Sequence, residues 1–82
     1  MTCRIEFKPR AVKDLRALSG ELQRRIVEKI EALANDLAGD VKKLANHIPQ
    51  YRLRVGDYRV PFEMEAEVVI VFRVLHRREA YR

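Results

Sequence analysis

The chain has a single cysteine, Cys3. That excludes an internal disulfide framework and fits a reducing cytosol. Cys3 reads as a small core-facing residue on a first strand, because no base can be placed beside it to make a reactive thiol. There is no low-complexity tract and no internal repeat, which sets aside disordered and solenoid architectures. The longest apolar run, Val68 to Phe72, is far too short to cross a bilayer. Nothing resembles a signal peptide, so the expectation is a cytoplasmic protein with no membrane association. No glycine-rich nucleotide loop, metal-spaced histidine cluster or Ser/His/Asp arrangement is visible, so no cofactor and no metal site is expected.

What remains is a short, basic, globular sequence. Its 82 residues, 48% hydrophobic and 35% charged, suit one domain spanning residues 1–82. A net charge of +5 favours an anionic partner. Residues 1–41 carry eight Lys/Arg against seven Asp/Glu, whereas residues 42–82 carry nine against five. The excess therefore lies in the second half, where every basic residue after Lys43 is an arginine or a histidine.

Thr2 to Lys8 alternates, with Cys3, Ile5 and Phe7 against Arg4, Glu6 and Lys8, which predicts a half-buried strand. Pro9 suits a first helical position, and Val12, Leu15 and Leu18 follow at helical spacing. Ser19-Gly20 breaks that helix, and Leu22, Ile26, Ile30, Leu33 and Leu37 then mark an amphipathic second one. Gly39-Asp40 ends it, and Val41 to Pro49 reads as a connecting segment in which Lys42, Lys43 and Leu44 form a short turn. His47 in this segment reads as a solvated loop histidine.

From Gln50 onwards the pattern has period two. Tyr51, Leu53 and Val55 share one face and Arg52 and Arg54 the other. Gly56-Asp57 supplies a type II′ turn, which sets Val55 opposite Tyr58, Leu53 opposite Val60 and Arg54 opposite Arg59. A second turn of three residues, Glu65-Ala66-Glu67, would send Val68, Ile70, Phe72 and Val74 to the core and leave Val69 and Val71 on the open face. Arg73 would then stand beside Arg59. The class is α+β: an N-terminal strand, a helical hairpin, then an antiparallel three-stranded sheet. With the chain's end at Arg82, no further C-terminal helix is expected.

The open face then carries Arg52, Arg54, Arg59 and Arg73, followed by the tail HRREAYR, His76 to Arg82. Like charges facing each other across a sheet destabilise it, which points to an anion normally seated between them. Guanidinium groups hold phosphate bidentately and stack on bases, and such a face suits a single-stranded RNA backbone. The bland alternative is a set of solvated arginines whose stems cover apolar surface.

The segment YRLRVGDYRV, Tyr51 to Val60, followed by VVIVFRV and the ending HRREAY, resembles the RelE/ParE toxins of type II toxin–antitoxin pairs. The opening FKPRAVKDLRAL and the later KKLANHIPQYRLR fit the same layout, so the resemblance spans nearly the whole chain. In its RelE branch it implies a ribosome-dependent endoribonuclease that cuts mRNA in the A site, using the nucleotide's own 2′-hydroxyl, with no metal or cofactor. Carried over, Arg52 and Arg59 hold the scissile phosphate and stabilise its transition-state charge. Arg54 matches the same basic strand, Arg77 serves the leaving 5′-oxygen, and Tyr81 stacks on or orients a base; from the open face and the tail, Arg73 and Arg78 are further expected to contact the RNA.

Two departures stand out. The family pattern has lysines where this chain has Arg52 and Arg54, and arginine is effectively never deprotonated. Either catalysis leans on charge stabilisation alone, or His76 takes the proton. Pro61 replaces an aliphatic residue and cannot donate to a ladder, so a bulge or an edge is expected there. The resemblance also implies a cognate antitoxin, forming a hetero-oligomer with this chain, and the ribosome and mRNA as further partners. Two other functions stay open: a ParE-like inhibitor of DNA gyrase that cleaves nothing, and a binding module without activity.

Overall fold

Strand alternation and helical spacing produce the first elements in the expected order. In the computed structural model, which describes residues 3–36 and 38–80, β1 (Arg4–Phe7) leads into α1 (Pro9–Arg16) and α2 (Gly20–Asp36). Thr2, Leu37 and Tyr81, named above, lie outside the described residues. Pro9 opens α1, where its missing N–H has no intrahelical partner to lose. Ser19 caps α2, its Oγ accepting from the Leu22 N–H at 3.3 Å. No helix among the described residues is long and apolar enough to cross a membrane.

The rest of the chain is β2 (Asp40–Lys43), β3 (Tyr51–Val55), β4 (Tyr58–Glu65), β5 (Val68–Val71), β6 (Leu75–His76) and α3 (Arg77–Ala80). The sheet runs β1-β5-β4-β3-β2, with β6 added against β4. β1 lies parallel to β5, and the other pairings are antiparallel. The α+β class stands, but among the described residues the sheet has six strands where three in succession were expected.

One face of this sheet meets the helical hairpin. Leu53, Val55, Val60, Phe62, Val69 and Val71 are buried there against Ile26, Ile30, Leu33, Ala34 and Ala11. Each large apolar side chain in this layer contributes about 1.5–3 kcal/mol by leaving water. The polar side of β3 and β4 is turned away from the helices, so it is available for a site.

The first hairpin has the expected register, with Val55 opposite Tyr58 and Arg54 opposite Arg59. Gly56 takes φ +56°, the left-handed value that the first central position of a type II′ turn requires. The second hairpin differs. Glu65 pairs with Val68, so the turn is the two residues Ala66 and Glu67. A one-residue change of register inverts every side chain. Val69 and Val71 are consequently core residues, fully buried, and not open-face ones. Ala66 holds the left-handed φ of +53° that a glycine or asparagine ordinarily signals.

Other differences follow from backbone geometry. The segment expected as a loop with a lysine turn is the strand β2, exposed along all four residues. Short, charged edge strands protect a sheet against pairing with another chain. Gly39 enters this strand at φ +147°, and a Cβ there would stand 2.8 Å from Leu53 Cδ1. Pro61 lies in register opposite Arg52 with no bulge towards β3. The interruption falls on its other side: β5 ends at Val71, opposite Phe62, and the Phe72 N–H donates to the Pro61 carbonyl at 2.9 Å. Proline thus stands where the chain leaves β4 before β6 returns to it. Finally, α3 forms a short helical turn after β6, where no further helix was expected.

Candidate nucleic-acid interface

The register of three adjacent strands builds the site. Asp40 pairs with Arg54, and Arg54 with Arg59, giving one row across β2, β3 and β4. The next row on the same face is Lys42, Arg52 and Pro61. Rows two residues apart are about 6.7 Å from each other, and adjacent strands about 4.8 Å. Asp40, Lys42, Arg52, Arg54 and Arg59 line a shallow cleft of about 180 Å³. Among the described residues it is a cationic groove with one carboxylate, on the sheet face opposite the helices.

The arginine pair is not two equivalent solvated charges. Arg54 is exposed, whereas Arg59 is 8% exposed. The Arg59 fork turns back along its own hairpin, donating from Nη1 to the carbonyls of Gly56 at 2.9 Å and Tyr58 at 3.0 Å. Hydrogen bonds to backbone dipoles satisfy a buried cation and hold its position. The turn is also covered from the helix side, since Arg25 of α2 would stand 3.5 Å from a Cβ on Gly56.

The C-terminal residues separate. Leu75 pairs with Arg59 and His76 with Tyr58, so His76 belongs to the helix-side face. Its ring meets Tyr58 edge-on at 5.5 Å, and its Nδ1 accepts from the Arg78 N–H at 3.3 Å. The expectation that His76 takes a proton among the arginines is thereby corrected: strand alternation directs it away from them. Arg77 stays at the hairpin, its N–H donating to the Asp57 carbonyl at 2.7 Å and its guanidinium 3.8 Å from the Asp57 carboxylate. Arg78 is exposed on α3. Tyr81, expected to stack on a base, lies outside the described residues.

Arg73 is also corrected. It does not join Arg59, because β5 has ended and the two-residue turn has shifted the register. Its Nε and Nη2 donate to Asp14 of α1 at 2.7 and 3.1 Å, and the Val74 N–H donates to the same carboxylate at 2.9 Å. Burial works to raise the Asp14 pKa, but the Arg73 and Val74 hydrogen bonds and the charges of Arg73 and Arg10 outweigh it, and the net direction is down. Arg73 ties the end of β5 to α1.

Asp40 and Lys42 are the site residues that sequence reasoning missed. Their signal was period-two spacing across Asp40 to Lys43, hidden because the stretch has one apolar residue, Val41, and all four residues are exposed.

Comparison with known proteins gives a consistent picture. Residues 5–81 match the family described as ParE toxin of type II toxin-antitoxin system, parDE. The chain is 37% identical to Toxin RelE3 of Methanocaldococcus jannaschii, covering 95% of this chain and 94% of that protein. It also resembles a chain of the RelB-RelE antitoxin-toxin complex from Methanococcus jannaschii, with a TM-score of 0.76 and 35% identity over 93% of this chain and 94% of that one. The archaeal RelE-RelB complex from Pyrococcus horikoshii OT3 matches with a TM-score of 0.78 and 29% identity, over 94% of this chain and 97% of that one. A chain of the chromosomal ParDE system from P. aeruginosa shares the fold, with a TM-score of 0.70 and 17% identity over 92% of this chain and 96% of that one. A family match over residues 5–81 and 37% identity along nearly the full length place this chain in the RelE/ParE family of type II toxin–antitoxin toxins.

Proposed function

We propose that this toxin is a ribosome-dependent endoribonuclease that cleaves mRNA in the A site by attack of a 2′-hydroxyl on the adjacent phosphate. The observation that carries this reading is the pair of cationic rows, Arg54 with Arg59 and Lys42 with Arg52, lining one cleft on the sheet. Arg52 and Arg54 hold the RNA phosphates. Arg59, fixed by two carbonyls of its own hairpin, presents a preorganised charge to the phosphate as it becomes more negative in the transition state. Arg77, at the hairpin turn, serves the leaving 5′-oxygen, Tyr81 stacks on a base, and Arg78 contacts the RNA backbone. Such a toxin acts in the cytoplasm on translating ribosomes. Neutralisation falls to a cognate antitoxin in a hetero-oligomer, as the RelB complexes of its structural relatives suggest.

A gyrase inhibitor is the second reading, favoured by the family description ParE toxin. Mapping of mRNA 5′ ends in a reconstituted translation reaction separates the two. Codon-phased cuts that are lost in Arg52→Ala and Arg54→Ala support the ribonuclease. Intact mRNA with inhibited gyrase overturns it. Arg52 and Arg54 are preferred to Arg59 as test positions, because truncating Arg59 also strips the hairpin of its internal hydrogen bonds.

A further inference from the structure

The arginines can grip RNA, but none can take the proton of the attacking 2′-hydroxyl at neutral pH. Resting on the ribonuclease reading, we infer that Asp40 of the edge strand β2 is the general base. Of the five residues lining the cleft, the other four are Lys42, Arg52, Arg54 and Arg59, which carry only donors when charged. Among the described lining residues, Asp40 is the one carboxylate, and its oxygens are acceptors.

Its position fits the reaction. The 2′-oxygen and the phosphorus it attacks belong to one nucleotide linkage, so the base must stand next to the groups that hold that phosphate. Asp40 pairs directly with Arg54, and Arg54 with Arg59. Side chains directly opposite on neighbouring strands have Cβ atoms about 4.5–5.5 Å apart, within reach of one linkage. The competing carboxylates are placed differently. Glu63 lies on the same face two rows further along, about 13 Å from the Arg54 row, and its Oε2 accepts the Gln50 N–H at 2.9 Å. Asp57 is at the hairpin turn beside Arg77 and outside the cleft.

In the step, an Asp40 carboxylate oxygen removes the 2′-hydroxyl proton as the O2′–P bond forms. The P–O5′ bond breaks, and the 5′-oxygen takes a proton from water. The products are a 2′,3′-cyclic phosphate and a 5′-hydroxyl, and Asp40 returns its proton to solvent. No oxidant, reductant or further co-reactant is required.

The test compares wild type with Asp40→Asn, Asp40→Ala and Asp40→Glu, each folded by circular dichroism, in ribosome-dependent mRNA cleavage under single-turnover conditions. Loss of a general base predicts a fall of about 100-fold or more for Asp40→Asn, with ribosome binding unchanged. Asp40→Glu retains most of the rate. Formate added to Asp40→Ala restores part of it, and chloride at the same ionic strength does not; a merely structural aspartate would not show that rescue. Asp40→Asn cleaving at the wild-type rate overturns the assignment, as does a loss in Asp40→Ala that formate leaves unchanged. If wild type cuts no message, the ribonuclease reading has failed and this assignment falls with it. If wild type cuts and Asp40→Asn cuts equally, only the assignment of Asp40 has failed.

Discussion

Asp14→Ala removes three hydrogen bonds in one substitution, and the structure allows the loss to be sized. Arg73 donates to the carboxylate from Nε at 2.7 Å and Nη2 at 3.1 Å, and Val74 from its backbone at 2.9 Å. The side chains of Arg73 and Asp14 are 28% and 18% exposed, so water recovers part of what the pair loses. A bond to a charged group is worth about 1.5–3 kcal/mol before that recovery, and an unpaired buried N–H costs about 1–3 kcal/mol. Val74 is 5% exposed, so its N–H has poor access to solvent. Together these give a destabilisation of about 2–3 kcal/mol for Asp14→Ala, and about half that for Arg73→Ala, which leaves Asp14 bonded to Val74. In a domain of this size, that corresponds to about 10–20 °C in Tm for Asp14→Ala. Urea and thermal unfolding of both single variants and the double variant close the cycle, with a coupling of about 1 kcal/mol expected for residues in contact. Below its Tm, Arg73→Ala should cleave at the wild-type rate. If it is instead as stable as wild type and loses RNA, Arg73 is a nucleic-acid ligand and the latch is not what holds it.

The same carboxylate sets an acid limit. The folded Asp14 pKa lies below the ordinary 3.8, so its contribution is complete above that value and disappears as pH falls through the folded one. Urea midpoints followed into strong acid should therefore fall more steeply in wild type than in Asp14→Asn; parallel curves would refute this. Ala66→Gly should stabilise the protein by about 0.5–1 kcal/mol, because relief of a left-handed alanine exceeds the added unfolded-state freedom; unfolding midpoints that drop would show the turn is not strained. Arg54→Ala should reduce the salt dependence of single-stranded RNA binding by about 0.7 in log–log slope, the loss of one phosphate contact. Filter binding across a salt series measures it, and an unchanged slope removes Arg54 from the phosphate path.

Much of the architecture was legible because burial leaves a periodic mark. Tyr51, Leu53 and Val55 against Tyr58, Val60 and Phe62 admitted one register, and the Gly56 turn agreed with it. The second hairpin was not legible because Ala66 occupies a left-handed position without the residue that would advertise it. Val68 to Phe72, apolar on both faces, could not arbitrate between registers. β2 escaped notice for the opposite reason: its residues are all exposed, so no buried face imposed alternation. Within the site, Arg52, Arg54 and Arg59 were found from their own strand spacing. Asp40 and Lys42 required knowing which strand lies beside β3, and that long-range pairing is written in no local pattern.

The opposed arginines of the hairpin make physical sense once β2 is in place. Across the row the side chains run Asp40, Arg54, Arg59, so the exposed guanidinium has a carboxylate on one side. On its other side Arg59 is drawn into backbone carbonyls, which moves its charge towards the turn. The repulsion expected from register alone is therefore eased on the Arg59 side, where the fork bonds to its own hairpin's carbonyls. That separates stability from chemistry. The hairpin's core face fixes where the arginines stand, while the exposed Asp40 and Lys42 of β2 can change with less cost to the fold. An edge strand of this kind can therefore vary beside a hairpin whose core face stays fixed.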